Sequence, residues 1–321
     1  MHAAEGQGPV QPPLRAQRPS VIAPGNHDGV HLGHRALIRT ARRYAEAHRL
    51  QTCALTFDPH PLALLDPERA PTMLTTQPRR AELLRSVGAD EVIVLPFTRE
   101  LAASAPEEFV DALVGFGARG LVVGPDFRFG KQRAGDVAQL QRWGKERGFE
   151  VLIEEPVRVD GERVSSTAIR SLLRAGELDR ANDMLARVHE ITGRVVKGDQ
   201  RGRTIGFPTA NLAIEPVLAP ADGVYAIVAR VLGGSEPSTL IHGVANLGTR
   251  PTFAAGRSVE AHLFDFERDI YGAELRVGFV ARVRGEQKFA GVNELKAQIT
   301  RDCATARERI AACPKEIIAW I

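Results

Sequence analysis

Gly25-Asn26-His27-Asp28-Gly29-Val30-His31-Leu32-Gly33-His34 stands between a short apolar run, Val21 to Ala23, and an amphipathic stretch, Arg35 to His48. The run reads as a strand and the stretch as a helix, so the glycines fall where the chain leaves one and enters the other. Backbone N–H groups and the positive end of the helix dipole meet at such a turn. Gly25, Gly29 and Gly33 let a phosphate approach both. His31 and His34, three apart, share one face of the first helical turn and suit a phosphorus atom on which negative charge builds. A bare tight turn with surface histidines would say nothing about chemistry. His-x-Gly-His after Gly-Asn-x-Asp-Gly favours a triphosphate site, with Gly25, Asn26, Asp28 and Gly33 as candidate nucleotide contacts. Zinc on His27, His31 and His34 is possible by ligand type, but no carboxylate or thiolate completes a fourth position nearby.

The same rhythm continues to about residue 185. Cys53 to Phe57, Glu91 to Phe97, Leu121 to Val123 and Phe149 to Ile153 read as further strands; Arg79 to Val87, Pro106 to Val114 and Asp136 to Arg147 read as helices. Buried, unalternating strands between helices predict an α/β domain with an open parallel sheet covered on both faces. Ligands of such sheets bind at the carboxyl ends of the strands, so Gly25, Phe57 to Pro61 and Gly124 to Gly130 should converge on one crevice. There Phe57, Pro59, Asp126 and Phe127 offer aromatic faces and rigid turns for a flat ring system. Ser165-Ser166-Thr167-Ala168-Ile169-Arg170 opens another helix, whose hydroxyls would cap it in any protein. Arg170, one turn in, adds a permanently charged fork that can clamp departing phosphates beside Ser166 and Thr167.

Beyond about Arg187 the period falls to two. Val259, Ala261 and Leu263 face away from Glu260 and His262, and Leu275, Val277, Phe279 and Ala281 face away from Arg276 and Arg282. Several such strands separated by Gly and Pro predict a small closed β-barrel. A final helix with Val292, Leu295, Ile299, Cys303, Ala306 and Ile310 on one stripe can pack across it. Within this half, the basic segment Lys197 to Gly206, including Arg201 and Arg203, runs into Phe207-Pro208-Thr209-Ala210-Asn211. A solvated hairpin would account for the basic residues but not for Thr209 and Asn211, whose hydroxyl and carboxamide suit Mg²⁺ and its nucleotide.

The chain has 321 residues, enough for two cores. Its 42 basic and 39 acidic residues give a net charge of +3, too little to imply a nucleic-acid partner. No stretch has the length of a membrane span or the apolar core of a secretory signal, which predicts a cytoplasmic protein with neither nucleic acid nor membrane as partner. Three scattered cysteines read as core thiols. The domains are expected at 1–186 and 187–321, the first nineteen or so residues being too polar and Pro-rich to order.

These segments, in this order from about residue 20 to 312, resemble the prokaryotic bifunctional riboflavin kinase/FAD synthetase family. The resemblance implies a Rossmann-like nucleotidyltransferase domain that joins FMN to the AMP part of ATP, followed by a barrel that phosphorylates riboflavin with ATP and Mg²⁺. It makes riboflavin, FMN and FAD the substrates and products. His31 and His34 would stabilise the α-phosphate, while Ser166, Thr167 and Arg170 would steady pyrophosphate. In the kinase half it implies Lys197, Gly206, Pro208, Thr209 and Asn211 for ATP, with Thr209 and Asn211 on Mg²⁺. Glu260 becomes the base. Gly243 to Pro251 fits the family pattern too, with Asn246, Gly248 and Arg250 shaping the flavin pocket. The chain departs from the family at His27, usually Phe, and at Leu185-Ala186-Arg187-Val188, usually Leu-Gly-Arg-Pro. Other readings are weaker. Retained Thr209, Asn211 and Glu260 speak against a monofunctional FAD synthetase with a non-catalytic barrel, and intact His31, His34 and Arg170 against a non-catalytic flavin-binding regulator. The attached barrel speaks against a nucleotidyltransferase for pantetheine or nicotinate phosphates.

Overall fold

A computed structural model describes residues 18–198, 202, 205–233, 239–249 and 257–321. The amino-terminal segment up to residue 17, Arg201, Arg203 and the candidate flavin contact Arg250 lie outside them. The chain forms two compact units: Met1–Pro71 with Gln77–Val164, and Thr72–Thr76 with Ser165–Ile321.

The first unit is built on a five-stranded parallel sheet in the order β3-β2-β1-β4-β5, with β1 Ser20–Pro24, β2 Gln51–Asp58, β3 Glu91–Pro96, β4 Ala118–Val123 and β5 Glu150–Ile153. Its helices are α1 Leu32–His48, α2 Pro61–Leu65, α3 Gln77–Ser86, α4 Arg99–Ala103, α5 Pro106–Gly115 and α6 Val137–Arg147. Every residue of β1 is buried, because both sheet faces are covered. Val21 packs with Ala41 and Ala45 of α1, while Ile22 faces a larger cluster with Phe109 and Leu113 of α5 and Trp143 of α6. Successive side chains of a strand alternate faces, so one strand feeds two cores. Strand order reverses at β1, with β2 on one side and β4 on the other, and that reversal opens the crevice above its carboxyl end. The expected strands and long helices are all present. The five-residue α2 and α4 and the hairpin of β6 Arg158–Val159 with β7 Glu162–Arg163 are additional; Asp160 and Gly161 turn the hairpin at φ 49° and 80°.

In the second unit, α7 Ser166–Ala175 and α8 Leu178–Leu185 precede β8 His189–Val196, β9 Ala210–Ile214, β10 Gly223–Leu232, β11 Ile241–Thr249, β12 Arg257–Leu263 and β13 Glu274–Arg284. These six strands form a closed barrel in the order β10-β11-β12-β9-β8-β13, antiparallel throughout. Tyr225, Ile227, Ala261, Val277 and Phe279 are fully buried and fill the lumen by alternation. The outer positions Val224, Ala226 and Val228 pack with Ala306 and Ile310 of α9 Val292–Ala312. Two expectations need correction. The stripe of α9 is buried only in its second half, Val292 being 57% exposed, because periodicity fixes which face is apolar but not how far the partner surface extends. Ala281 also leaves the lumen set: a register shift in β13 opposite Ala226 and Ile227 carries it into the cluster against α9. Cys53 is buried, whereas Cys303 and Cys313 are only half-buried.

Candidate active sites

In the first unit the loop from β1 to α1 is held from beneath by a buried arginine. Thr56 Oγ1 and Arg80 Nη1 both donate to the Asn26 carbonyl, at 2.9 and 3.1 Å, and Arg80 Nη2 reaches the Phe57 carbonyl at 3.3 Å. Asn26 Nδ2 lies 3.1 Å from His60 Nε2. The Gly25 loop and the 57–60 segment therefore meet, as expected of two strand-end loops. Arg80 is 1% exposed and Asp28 is 2% exposed. Burial lowers the Arg80 pKa, and the charges of Asp28 and Asp58 pull it back up, so the guanidinium stays paired rather than isolated. Sequence reasoning passed over Arg80. Its signal was available: it stands one turn before Leu83 and Leu84 on the apolar side of α3, where a charge needs a reason.

Three histidines form a column on this loop. His31 caps α1, its Nδ1 accepting the His34 N–H at 3.4 Å. That leaves the proton on Nε2. The rings of His31 and His34 stack at 3.6 Å, and His27 meets His34 edge-on at 5.0 Å. His27 is fully buried at φ 49°, and its Nε2 lies 3.0 Å from the Ala23 carbonyl. The carbonyl can only accept, so Nε2 carries the proton. Burial lowers the His27 pKa to about 4, against the pull of that hydrogen bond and with the Arg80 charge adding to the shift. Burial also holds His34 well below the usual imidazole range, helped by His31, His27 and Arg80. Both Nδ1 atoms are buried and lack a hydrogen-bond partner among the described residues. The glycines make room for these rings: a Cβ at Gly25 would lie 3.2 Å from His27, and one at Gly33 would lie 3.2 Å from His31. Among the described residues no group of three or more His, Cys, Asp or Glu could hold a metal ion.

The other expected residues of this half are distributed more widely. Phe57 meets Phe97 at 5.7 Å and Phe127 stacks on Phe129 at 5.4 Å, both half-buried at the edge of the core cluster. Asp126 is exposed and paired with Arg163 at 2.6 Å, and Pro59 is exposed. Ser166, Thr167 and Arg170 belong to the second unit. Ser165 caps α7 there, and Arg170, buried, donates from Nε to the Thr72 carbonyl at 2.8 Å.

The second unit carries a row of polar side chains across three neighbouring strands. Glu260 on β12 is paired in register with Asn211 on β9 and with Asn246 on β11. Side chains opposite one another on adjacent strands share a face. The inward neighbours Leu212, Leu247, Val259 and Ala261 are buried, so the row stands on the barrel's outer face. Glu260 is half-buried and Asn246 exposed. Asn211 is 5% exposed, and its Oδ1 is buried without a hydrogen-bond partner among the described residues. Its amide lies against Gly198, where any Cβ would overlap it. Lys197 and Pro208 are exposed, and Gly206 turns at φ 90°. Gly248, buried on β11, leaves space for another carboxylate missed in the sequence: its Cβ would lie 2.5 Å from Glu286 Oε1. A cavity of about 470 Å³ is lined by Val195, Pro208, Thr209, Ala210, Ala261, Leu263 and residues 266–271, next along β9 and β12 from Asn211 and Glu260, which do not line it. That volume lies in the range of small-molecule sites.

A family model described as FAD synthetase matches residues 14–168, and one described as riboflavin kinase matches residues 185–310. The chain is 42% identical over 296 residues to a bifunctional riboflavin kinase/FMN adenylyltransferase of Escherichia coli (strain K12), covering 91% of this chain and 93% of that one. It is 40% identical over 299 residues to the protein of that description from Pseudomonas fluorescens, covering 92% and 94%. With that of Bacillus subtilis (strain 168) it shares 36% over 293 residues, covering 89% and 91%. A crystal structure described as a macrolide-efflux protein from Streptococcus pneumoniae superposes with a TM-score of 0.84 at 30% identity, covering 93% of this chain and 98% of that one. Among the described residues of this chain, no helix is long and apolar enough to cross a membrane.

Proposed function

This chain belongs to the bifunctional riboflavin kinase/FMN adenylyltransferase family, and from that premise we propose which residues carry each of its two reactions. The protein phosphorylates riboflavin to FMN with ATP, and it adenylylates FMN with ATP to give FAD and pyrophosphate.

In the kinase reaction the terminal hydroxyl of the riboflavin side chain attacks the γ-phosphorus, and the bond to the ADP oxygen breaks. Glu260 accepts the hydroxyl proton as the new P–O bond forms. Thr209 and Asn211 would hold Mg²⁺ as it arrives with the nucleotide. The orphan Asn211 Oδ1 fits that role, since a hard cation that arrives with a substrate needs only one or two protein ligands. Mg²⁺, when bound, neutralises charge on the transferring phosphoryl group. Lys197, Gly206 and Pro208 border the phosphates, the cavity beside Thr209 takes the purine, and Asn246 and Gly248 face the flavin.

In the adenylyltransferase reaction an FMN phosphate oxygen attacks the α-phosphorus in line and pyrophosphate leaves, with no covalent enzyme intermediate. His31 donates from Nε2 and His34 meets the charge growing on the α-phosphate. Arg80 keeps the loop of Gly25, Asn26, Asp28 and Gly33 in shape beneath the nucleotide. Phe57, Pro59, Asp126 and Phe127 border the flavin.

The observation that carries this reading is the register that sets Glu260 between Asn211 and Asn246, a base flanked by the residues that meet nucleotide and flavin. Purified protein incubated with riboflavin, ATP and Mg²⁺ and resolved by chromatography should yield FMN first and then FAD. Riboflavin recovered unchanged, from a preparation that still converts added FMN to FAD, would refute the kinase assignment. Omitting Mg²⁺ should stop FMN formation.

A further inference from the structure

We propose that His262 is a positioning residue of the kinase reaction, its Nδ1–H fixing the backbone on which Thr209 stands relative to Glu260. The inference rests on the kinase assignment above and adds to it a residue outside the motif. The β9–β12 ladder runs Leu212 to Val259, Asn211 to Glu260 and Ala210 to Ala261, and there it stops. The next pair would be Thr209 with His262, but Pro208 has no N–H to donate and Gly206 turns the chain away at φ 90°. The His262 side chain takes over at that point. Its Nδ1 lies 2.8 Å from the Pro208 carbonyl; because a carbonyl only accepts, the proton is on Nδ1. Its ring meets Phe207 edge-on at 5.6 Å and Phe264 at 5.8 Å. Thr209 is thus held on one side by the ladder at Ala210 and on the other by His262 through Pro208. Glu260 is two residues away on the same strand and face, so one strand fixes both the base and the Thr209 backbone. His262 is only half-buried, so its contribution does not come from filling a core.

The two features of the side chain can be separated. His262→Phe keeps a ring against Phe207 and removes the donor; His262→Asn keeps a donor near the Nδ1 position and removes the ring. His262→Phe is expected to raise KM for MgATP in riboflavin phosphorylation roughly tenfold, the loss of one positioning hydrogen bond, while FMN adenylylation by the same sample stays at the wild-type rate. His262→Asn should restore KM to within about threefold, and in a Thr209→Ala background His262→Phe should add little, since both act through one backbone. A silent His262→Phe, an Asn variant as impaired as the Phe variant, or full additivity with Thr209→Ala would each overturn the positioning role. Glu260→Gln run alongside separates the two failures. Loss of FMN formation there with a silent His262→Phe leaves the kinase site standing, whereas unimpaired Glu260→Gln removes both.

Discussion

Glu260 on β12 lies directly across from Asn211 on β9, although the two are far apart in sequence. Opposed Cβ atoms on antiparallel neighbours are only about 5 Å apart, so closure of the barrel brings together the carboxylate and the carboxamide that we propose binds the nucleotide. Asn211 carries an uncompensated cost in the free protein, since its Oδ1 is buried without a hydrogen-bond partner among the described residues. A buried unsatisfied acceptor destabilises by roughly 1–3 kcal/mol.

Asn211→Leu should therefore separate stability from activity. Riboflavin phosphorylation is expected to fall at least about 100-fold, while the melting temperature of the barrel unit holds or rises by a few degrees. Calorimetry beside an FMN-formation assay checks this, and a large fall in melting temperature would mean that Asn211 is a structural residue.

Gly198→Ala tests the same carboxamide from outside. The added methyl overlaps the Asn211 amide, and the flexible end of that side chain is what must move. Phosphorylation should drop roughly ten- to 100-fold, at a stability cost below about 1 kcal/mol. Adenylylation of FMN should not change.

Arg80→Lys probes the loop of the other reaction. Arg80 reaches two carbonyls with two different nitrogens, which a single ammonium cannot reproduce. FMN-to-FAD conversion is expected to fall about tenfold or more, riboflavin phosphorylation remaining at the wild-type rate. Comparing the two rates in one preparation decides it.

His27 makes stability depend on pH. Its folded-state pKa, about 4, lies below the 6.5 of a free imidazole, so the unfolded chain binds a proton that the folded chain refuses. Stability is complete above pH 6.5 and is lost as pH falls from there toward 4, by about 3 kcal/mol in all. His189 in the barrel unit, also lowered to about 4 by burial, imposes the same trend there. His27→Phe should remove its own share, leaving that of His34: the melting temperature of the first unit should gain more over wild type at pH 5 than at pH 8. An equal difference at both values would mean that His27 titrates normally.

Much of this was legible in the sequence, for reasons that particular residues make plain. Val21 to Ala23 and Leu121 to Val123 read as strands because central strands of a covered sheet are apolar on both sides, and the glycine-histidine loop between β1 and α1 could be placed because its turn and cap residues are consecutive. Arg80 was passed over because an arginine in a helix is by default solvated, although its place on the apolar side of α3 marked it; that it reaches Asn26 is set by the tertiary fold. The row of Asn211, Glu260 and Asn246 was hidden because register between β9, β12 and β11 is set by pairing across the barrel. His262 escaped notice for the same reason, its partner Pro208 being 54 residues away. The short α2 and α4 have too few turns for a period to appear.

The central claim is that two separate sets of residues break ATP at two different phosphorus atoms. Glu260→Gln and the double change His31→Ala with His34→Ala, each assayed for riboflavin-to-FMN and for FMN-to-FAD conversion, test it most directly. Glu260→Gln should lose FMN formation and keep FAD formation from added FMN, and the double histidine variant should do the reverse. Parallel loss of both conversions in either protein would contradict it.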